Sequence, residues 1–301
     1  AQETVVYSEP EGLPALRHEL ANYLHFSRGV RCCADQIILT NGHQHSLSLL
    51  ARLFTNGSWK FAMEEPGYDG TRIVMQQYGF SPIPIPLEHD GISVAETGRL
   101  SHVLLYITPS HQFPMGSVLP IAKRLELLQW AADKEERYII EDDYDSELRY
   151  FGKPVPALQG LDNRSCVVYL GTFSSTLFPA VKISYMVLPE KMAQIFRSIK
   201  HEYTQTCSKA EQLTLAFFME DGHYYTGIRK LRSLYSQKLQ AALSAFSAHG
   251  GGVASPIDTH SGINLTVKVR SRKKAEQLCE EAKSLGLQMV PLSEITDQET
   301  S

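Results

Sequence analysis

A chain of 301 residues with 43% hydrophobic content can bury a large core, which excludes a disordered chain and points to one large domain with a smaller one beside it. The formal net charge is −4 and the 29 lysines and arginines are dispersed, which excludes the basic footprint of a DNA-binding module. Five cysteines, Cys32, Cys33, Cys166, Cys207 and Cys279, contain no C-x-x-C pair and fit neither a disulfide framework nor a zinc site, so a reducing cytoplasm is expected.

The chain opens AQETVVYSEP, with neither a basic n-region nor an apolar h-region, and no apolar run reaches the ~20 residues needed to cross a bilayer. A soluble protein is expected. Because the first residue is not Met, the chain is also expected to be a piece of a longer one. From Gly12 to about Ser27, Leu13, Leu16, Leu20, Tyr23 and Leu24 recur at helical spacing, with Pro14 in the first turn. A strand from Gln36 through IILT then turns sharply into a helix with Leu47, Leu50 and Phe54 inward.

The alternation continues. WKFAM reads as a strand, YDGTRIVMQQYG as a helix, SPIPIP as a strand or sheet edge, HVLLYIT as a strand, and about Ile121 to Ala132 as a helix. Three apolar strands follow, beginning at Tyr138, Ser165 and Lys182. Short apolar strands separated by helices predict an α/β domain with a mainly parallel sheet. Past Pro189 the pattern becomes helical, over about Lys191–Glu202, Lys209–Glu220 and Gly222–Ala248. After the glycines at 250–252 come a strand in HSGINLTVKV, a helix over about Lys273–Leu285 and a strand in LQMVP. The expected organisation is therefore a large domain over 1–190, a helical connection over 191–248 and a small α+β subdomain over 249–301.

Ligands of open α/β sheets collect at the carboxyl ends of the strands, and four segments place polar residues there. Thr40-NGHQH would set the N–H groups of Gly42, His43 and Gln44 at a helix N-terminus, suited to a phosphate, or else is an ordinary strand-to-helix turn. In Glu64-EPGYDGTR, Pro66 and Gly67 fix a turn and Tyr68 either lies against a flat heterocycle or simply opens a helix. Glu141-DDYDSELRY carries four acids in five positions after a very apolar strand; each must be paired, bound to a cation or turned to a ligand, since an unpaired buried charge is costly. Asp142 suits a protonated pyridine nitrogen and Tyr144 a phenolic oxygen on the same ring. A hard metal would need further oxygen ligands to which the sequence does not point. Finally, the strand CVVYLG runs into Thr172, Ser174, Ser175 and Thr176, hydroxyls able to donate to phosphate oxygens, with Lys182 as a charge partner.

Taken in order, SEPEGLPALRHELANYLHFSRGV, ILTNGHQHSLSLLARLF, EEPGYDGTR, YITPSHQFPMGSVLP, IIEDDYDSELRY, PALQGLD and YLGTFSSTLFPAVKISYMVLP resemble the effector domain of MocR-type regulators of the GntR superfamily. The resemblance covers nearly the whole chain to about Pro189 and is general beyond it. It implies a fold-type I aminotransferase-like domain and a pyridoxal 5′-phosphate pocket. By the same resemblance, Asp142 pairs with the pyridine nitrogen, Tyr144 lies near the ring hydroxyl and Tyr68 beside the ring. Gly42, His43 and Gln44 receive the phosphate, and His111 falls in the HQFP loop near the ring. A homodimer is implied, as is a winged helix-turn-helix domain outside these residues through which DNA would be bound.

Two departures bear on chemistry. The family string is GTFSK, whose lysine forms the Schiff base; that position is Ser175, and a hydroxyl cannot form an imine. The family arginine seven residues on is Lys182, which keeps the charge without the planar fork. The chain also ends before the stretch in which relatives carry an arginine for the effector carboxylate. The expectation is a sensing domain that binds pyridoxal 5′-phosphate, or its adduct with an amino compound, without covalent attachment and with no catalytic residue. A working aminotransferase and a cofactor-free dimerisation domain are the alternatives.

Overall fold

The computed structural model describes residues 8–54, 57–150, 155–257, 259 and 262–294. In chain order the structure holds α1 (Pro14–Arg28), β1 (Ile37–Asn41), α2 (His43–Phe54), β2 (Lys60–Glu65), α3 (Asp69–Gln77), β3 (Pro82–Glu88), β4 (Gly91–Ile92) and α4 (Val94–Gly98). It continues with β5 (Val103–Ile107), α5 (Ile121–Ala132), β6 (Arg137–Asp142), α6 (Leu158–Leu161), β7 (Val167–Thr172) and β8 (Ile183–Val187). Three helices follow, α7 (Glu190–Ile199), α8 (Lys209–Glu220) and α9 (His223–His249), and then β9 (Ala254–Ile257), β10 (Thr266–Val269) and α10 (Ala275–Ser284).

Eight strands form one sheet in the order β1-β8-β7-β6-β5-β2-β3-β4. The pairs β3–β2, β2–β5, β5–β6 and β6–β7 are parallel, whereas β1–β8, β7–β8 and β3–β4 are antiparallel. The sheet is thus mixed, with a parallel centre. Its strands read as continuous apolar runs because helices cover both faces. Ile38, Leu170 and Met186 face the layer of α2 and α7, while their neighbours Ile37, Tyr169 and Val187 face α1, α8 and α9. The prolines of β3 fall at alternate positions, 82, 84 and 86. They are tolerated because β4 covers only two residues of that side of the strand.

The C-terminal elements depart from expectation in detail. The strand read in HSGINLTVKV is β10, shortened to four residues and paired antiparallel with β9, which the sequence did not announce; His260 and Ser261 at its start lie outside the described residues, as does everything from 295. LQMVP is not a strand. Leu287, Met289 and Val290 are exposed there, and the segment pairs with neither β9 nor β10.

Carboxyl groups buried at the strand ends fix the loops around the site. Glu141 accepts from the N–H groups of Leu158 (2.7 Å) and Gln159 (2.8 Å), which caps α6. Arg124, fully buried, donates to the carbonyls of Leu119, Pro156 and Pro109. Asp143 takes Arg28 Nε at 2.7 Å and the Tyr169 hydroxyl at 2.6 Å. Burial alone pushes the Asp143 carboxyl up, but Arg28 and Tyr169 outweigh it and hold the group below its ordinary value. Arg28→Met leaves Asp143 buried without its charge partner and is expected to cost roughly 3–5 kcal/mol in denaturant unfolding, whereas a loss under about 1 kcal/mol would contradict this pairing.

Glu64, at the end of β2, accepts from Thr108 N (3.0 Å) and Thr108 Oγ1 (2.8 Å). Burial raises its carboxyl from 4.5 to about 7 against these hydrogen bonds. A folded pKa above the unfolded one means stability present in full below 4.5 and lost as pH rises through about 7. Glu64→Gln keeps an acceptor for Thr108 and removes the proton, so its melting temperature relative to wild type should rise steadily over that interval. A difference independent of pH would contradict the assignment.

Candidate functional site

The carboxyl ends of β1, β5, β6 and β7 converge on a cavity of about 230 Å³ lined by His43, Tyr68, Thr108, Phe113, Asp142, Tyr144, Thr172, Ile263 and Asn264. Asp142 is the last residue of β6, so the pleat turns it to the face opposite Glu141 and Asp143. It is 5% exposed. Its Oδ2 accepts from the Tyr106 hydroxyl of β5 and lies 3.3 Å from His43 Nε2. Its Oδ1 is buried with no protein partner. Burial raises the Asp142 pKa, and His43 and Tyr106 oppose that rise. A carboxylate in this position is completed by one further donor, and a cation-bearing N–H is the group that best restores the charge balance.

The flanks are aromatic. Tyr68 precedes α3, its ring 5.9 Å from His43 and 5.6 Å from Phe113, both edge-on. Tyr144 closes the far side, and burial raises its hydroxyl well above its ordinary value. Thr172, at the end of β7, brings an Oγ1 that accepts from Ser184 Oγ at 2.9 Å. Flat aromatic walls, one unpartnered carboxylate oxygen and hydroxyls at the rim suit a planar heterocycle with a protonated ring nitrogen.

The sequence-derived residues divide into two groups. His43, Tyr68, Asp142, Tyr144 and Thr172 meet at the cavity wall. Gly42 and Gln44 stand just beyond it, in the turn that starts α2, where the first helical N–H groups have no intrahelical partner. Gly42 has φ +83°, the left-handed region, and a β-carbon there would come within 3.9 Å of the Lys182 Cδ. Lys182 is therefore beside the turn, exposed to solvent. Ser174 donates to the Val181 carbonyl at 2.9 Å and Ser175 to the Tyr144 carbonyl, so both hydroxyls are engaged within the loop. His111 is a layer behind the wall, hydrogen-bonded to Tyr144 and Asp145.

Thr108, Phe113, Ile263 and Asn264 complete the wall, and Tyr106 lies beneath it, without having been foreseen. Tyr106 had a legible signal, since it alternates with Leu105 and Ile107 on β5 and shares a register pair with Ile140 two residues before Asp142. Asn264 had none, because its approach depends on a chain return from the C-terminal elements. The four acids of EDDYD each find a partner or the cavity, and among the described residues no group of His, Cys, Asp and Glu could hold a metal.

Comparison with known proteins gives the family and the fold. The family model for aminotransferase class I and II matches residues 1–298. An uncharacterized HTH-type transcriptional regulator of Bacillus subtilis, YdeL, is 38% identical over 92% of this chain and 60% of its own length. The probable rhizopine catabolism regulatory protein MocR of Rhizobium meliloti is 36% identical over 94% and 57%. A pyridoxine biosynthesis regulator of Corynebacterium glutamicum, PdxR, is 34% identical over 77% and 50%. The chain thus spans about three-fifths or less of the length of these relatives. Among solved structures, Pyrococcus horikoshii kynurenine aminotransferase superposes with a TM-score of 0.85 at 25% identity, covering 98% of this chain and 75% of that one. An archaeal alanine:glyoxylate aminotransferase superposes equally well at 24% identity, with a TM-score of 0.85 over 99% and 76%. The chain belongs to the aminotransferase class I and II family, and it is similar to the corresponding part of HTH-type regulators such as MocR.

Proposed function

We propose that this domain is the effector-sensing part of a MocR-type transcriptional regulator and that it binds pyridoxal 5′-phosphate, or its adduct with an amino compound, without a covalent bond to the protein. The observation that carries the reading is the unpartnered Oδ1 of Asp142 at the floor of an aromatic-walled cavity. Asp142 would receive the ring N–H, Tyr68 and His43 would lie against the ring, and Tyr144 would meet the ring hydroxyl. Thr172, the amides of the Gly42 turn and Lys182 would take the phosphate. When bound, the cofactor supplies an aldehyde and an electron-withdrawing ring; the protein supplies orientation and charge.

Ser175 supports sensing over turnover, because a hydroxyl already engaged with the Tyr144 carbonyl offers no amine to the aldehyde. A sensor needs only a difference in affinity between two protein states. Similarity to PdxR, a regulator of pyridoxine biosynthesis, supports a B6 compound as ligand class. DNA would be reached through a helix-turn-helix domain of the whole protein, and two copies are expected to pair. No helix among the described residues is long and apolar enough to cross a membrane.

Pyridoxal 5′-phosphate at saturation should raise the melting temperature, since a ligand that binds only the native state must stabilise it. Asp142→Ala should weaken that binding by about 10- to 100-fold, the worth of one charge-assisted hydrogen bond, and an unchanged affinity would refute the role given to Asp142. No thermal shift for wild type would favour the cofactor-free alternative.

Borohydride treatment separates sensing from catalysis. The wild-type protein should retain no cofactor after reduction and denaturation, whereas Ser175→Lys should carry it covalently at position 175. Covalent retention by wild type, or none by the variant despite equal binding, would overturn this part of the reading.

A further inference from the structure

Behind the cavity wall, Tyr144, His111 and Asp145 form one buried hydrogen-bonded unit. The side chains of His111 and Asp145 are 2% and 1% exposed, with His111 Nδ1 2.9 Å from Asp145 Oδ2. The Tyr144 hydroxyl oxygen lies 2.9 Å from that same nitrogen and donates to the His111 carbonyl at 3.0 Å. Asp145 Oδ2 also accepts from Ile263 N at 3.3 Å.

An imidazole nitrogen carries either a proton or a lone pair. Beside a carboxylate oxygen that already accepts from a backbone N–H, Nδ1 must carry the proton. That N–H is shared between Asp145 and the Tyr144 oxygen, while the phenolic proton is spent on the His111 carbonyl. Tyr144 therefore turns a lone pair toward the cavity. The side chain of exposed Asn264, another residue of the cavity wall, hydrogen-bonds to this oxygen. The strap is held closely: a β-carbon on Gly262 would fall 1.9 Å from His111 Cε1 and 2.7 Å from Asp145 Oδ2, so residue 262 must be glycine.

We propose that Asp145 is a positioning residue that, through His111, presents Tyr144 to the cavity as a hydrogen-bond acceptor, so that the site selects a 3-hydroxypyridine ring whose hydroxyl is protonated. This rests on the cavity being a seat for pyridoxal 5′-phosphate. A neutral hydroxyl can take the place of Asn264 and donate to this lone pair, whereas a phenolate would set one lone pair against another. The negative groups around Tyr144 act in the same sense: Asp145 foremost, then Asp142 and Glu64, all disfavour a second anion there. The other titratable groups in reach are His43 and Tyr68 at the cavity wall, Tyr106 beneath Asp142 and Tyr150, which donates to the Gly262 carbonyl. Of these, Tyr150 also feels the Asp145 charge, which raises its hydroxyl.

Pyridoxine 5′-phosphate is the probe, because it lacks the aldehyde and its absorbance reports ring ionisation alone. Bound to wild type, its hydroxyl should ionise at higher pH than in free solution. Asp145→Asn, which removes both the charge and the fixed tautomer, should lower that midpoint by about one pH unit or more. Ser146→Ala, at a neighbouring hydroxyl that has no hydrogen-bond partner, should leave it in place. Asn264→Ala, on the exposed strap, removes the competitor for the Tyr144 lone pair and should tighten binding about threefold or more; it decides the matter if Asp145→Asn does not fold. A midpoint unmoved by Asp145→Asn, or weaker binding in Asn264→Ala, would overturn the proposal. If pyridoxal 5′-phosphate stabilises the protein but the bound probe ionises as it does in solution, the proposal falls and the cofactor reading stands; if neither ligand binds, both fall.

Discussion

Four carboxylates at the end of one buried strand dictate the architecture of the site. Glu141, Asp142, Asp143 and Asp145 are all buried, and a buried charge is tolerated only with a partner. Glu141 is met by the start of α6 and Arg124, Asp143 by Arg28 and Tyr169, and Asp145 by His111. Each of these partners arrives from a different part of the chain, so satisfying the acids also sets the positions of α1, the segment after β5 and the connection to α6. Asp142 is the one of the four at the cavity wall, and its Oδ1 has no protein donor; Asp145 Oδ1, behind the wall, is likewise unpartnered. Three of the acids thus hold the scaffold in order, and on the proposed reading the fourth, at the cavity wall, meets the ligand.

The same economy explains what Ser175 changes. The resemblance to the string GTFSK implies a cofactor-bonding lysine at this position; here the Ser175 hydroxyl closes a hydrogen bond to the Tyr144 carbonyl and ties the loop after β7 to the loop after β6. The two loops that flank the cavity are joined to each other instead of to a ligand. Loss of the amine therefore removes a reactive group without opening the site. Lys182, beside the Gly42 turn, keeps a positive charge near the helix N-terminus. On the proposed reading, such a pocket retains recognition and gives up turnover.

Much of this was legible in the sequence because the determinants are local. The apolar runs of β5, β6, β7 and β8, each wholly or almost wholly buried, announced a covered parallel centre. Asp142 and Tyr144 were readable from acids crowded at a strand end. His111 was placed near the ring by resemblance, yet it stands behind Tyr144, because Asp145 draws its Nδ1 away from the cavity. Ser174 and Ser175 suggested phosphate donors, but tight loop geometry gives both hydroxyls backbone partners. Asn264 and Ile263 were invisible, since the chain returns to the wall more than a hundred residues after Tyr144. LQMVP misled because its apolar residues suit a strand, yet they stay exposed and join neither β9 nor β10.

The central claim is that Asp142 holds a protonated ring nitrogen. The direct measurement is the nitrogen-15 chemical shift of ring-labelled pyridoxal 5′-phosphate bound to the wild-type protein near neutral pH. The account predicts a shift characteristic of a protonated pyridine nitrogen that persists above the pH at which the free cofactor loses that proton. A bound cofactor whose ring nitrogen is neutral at the same pH would contradict it.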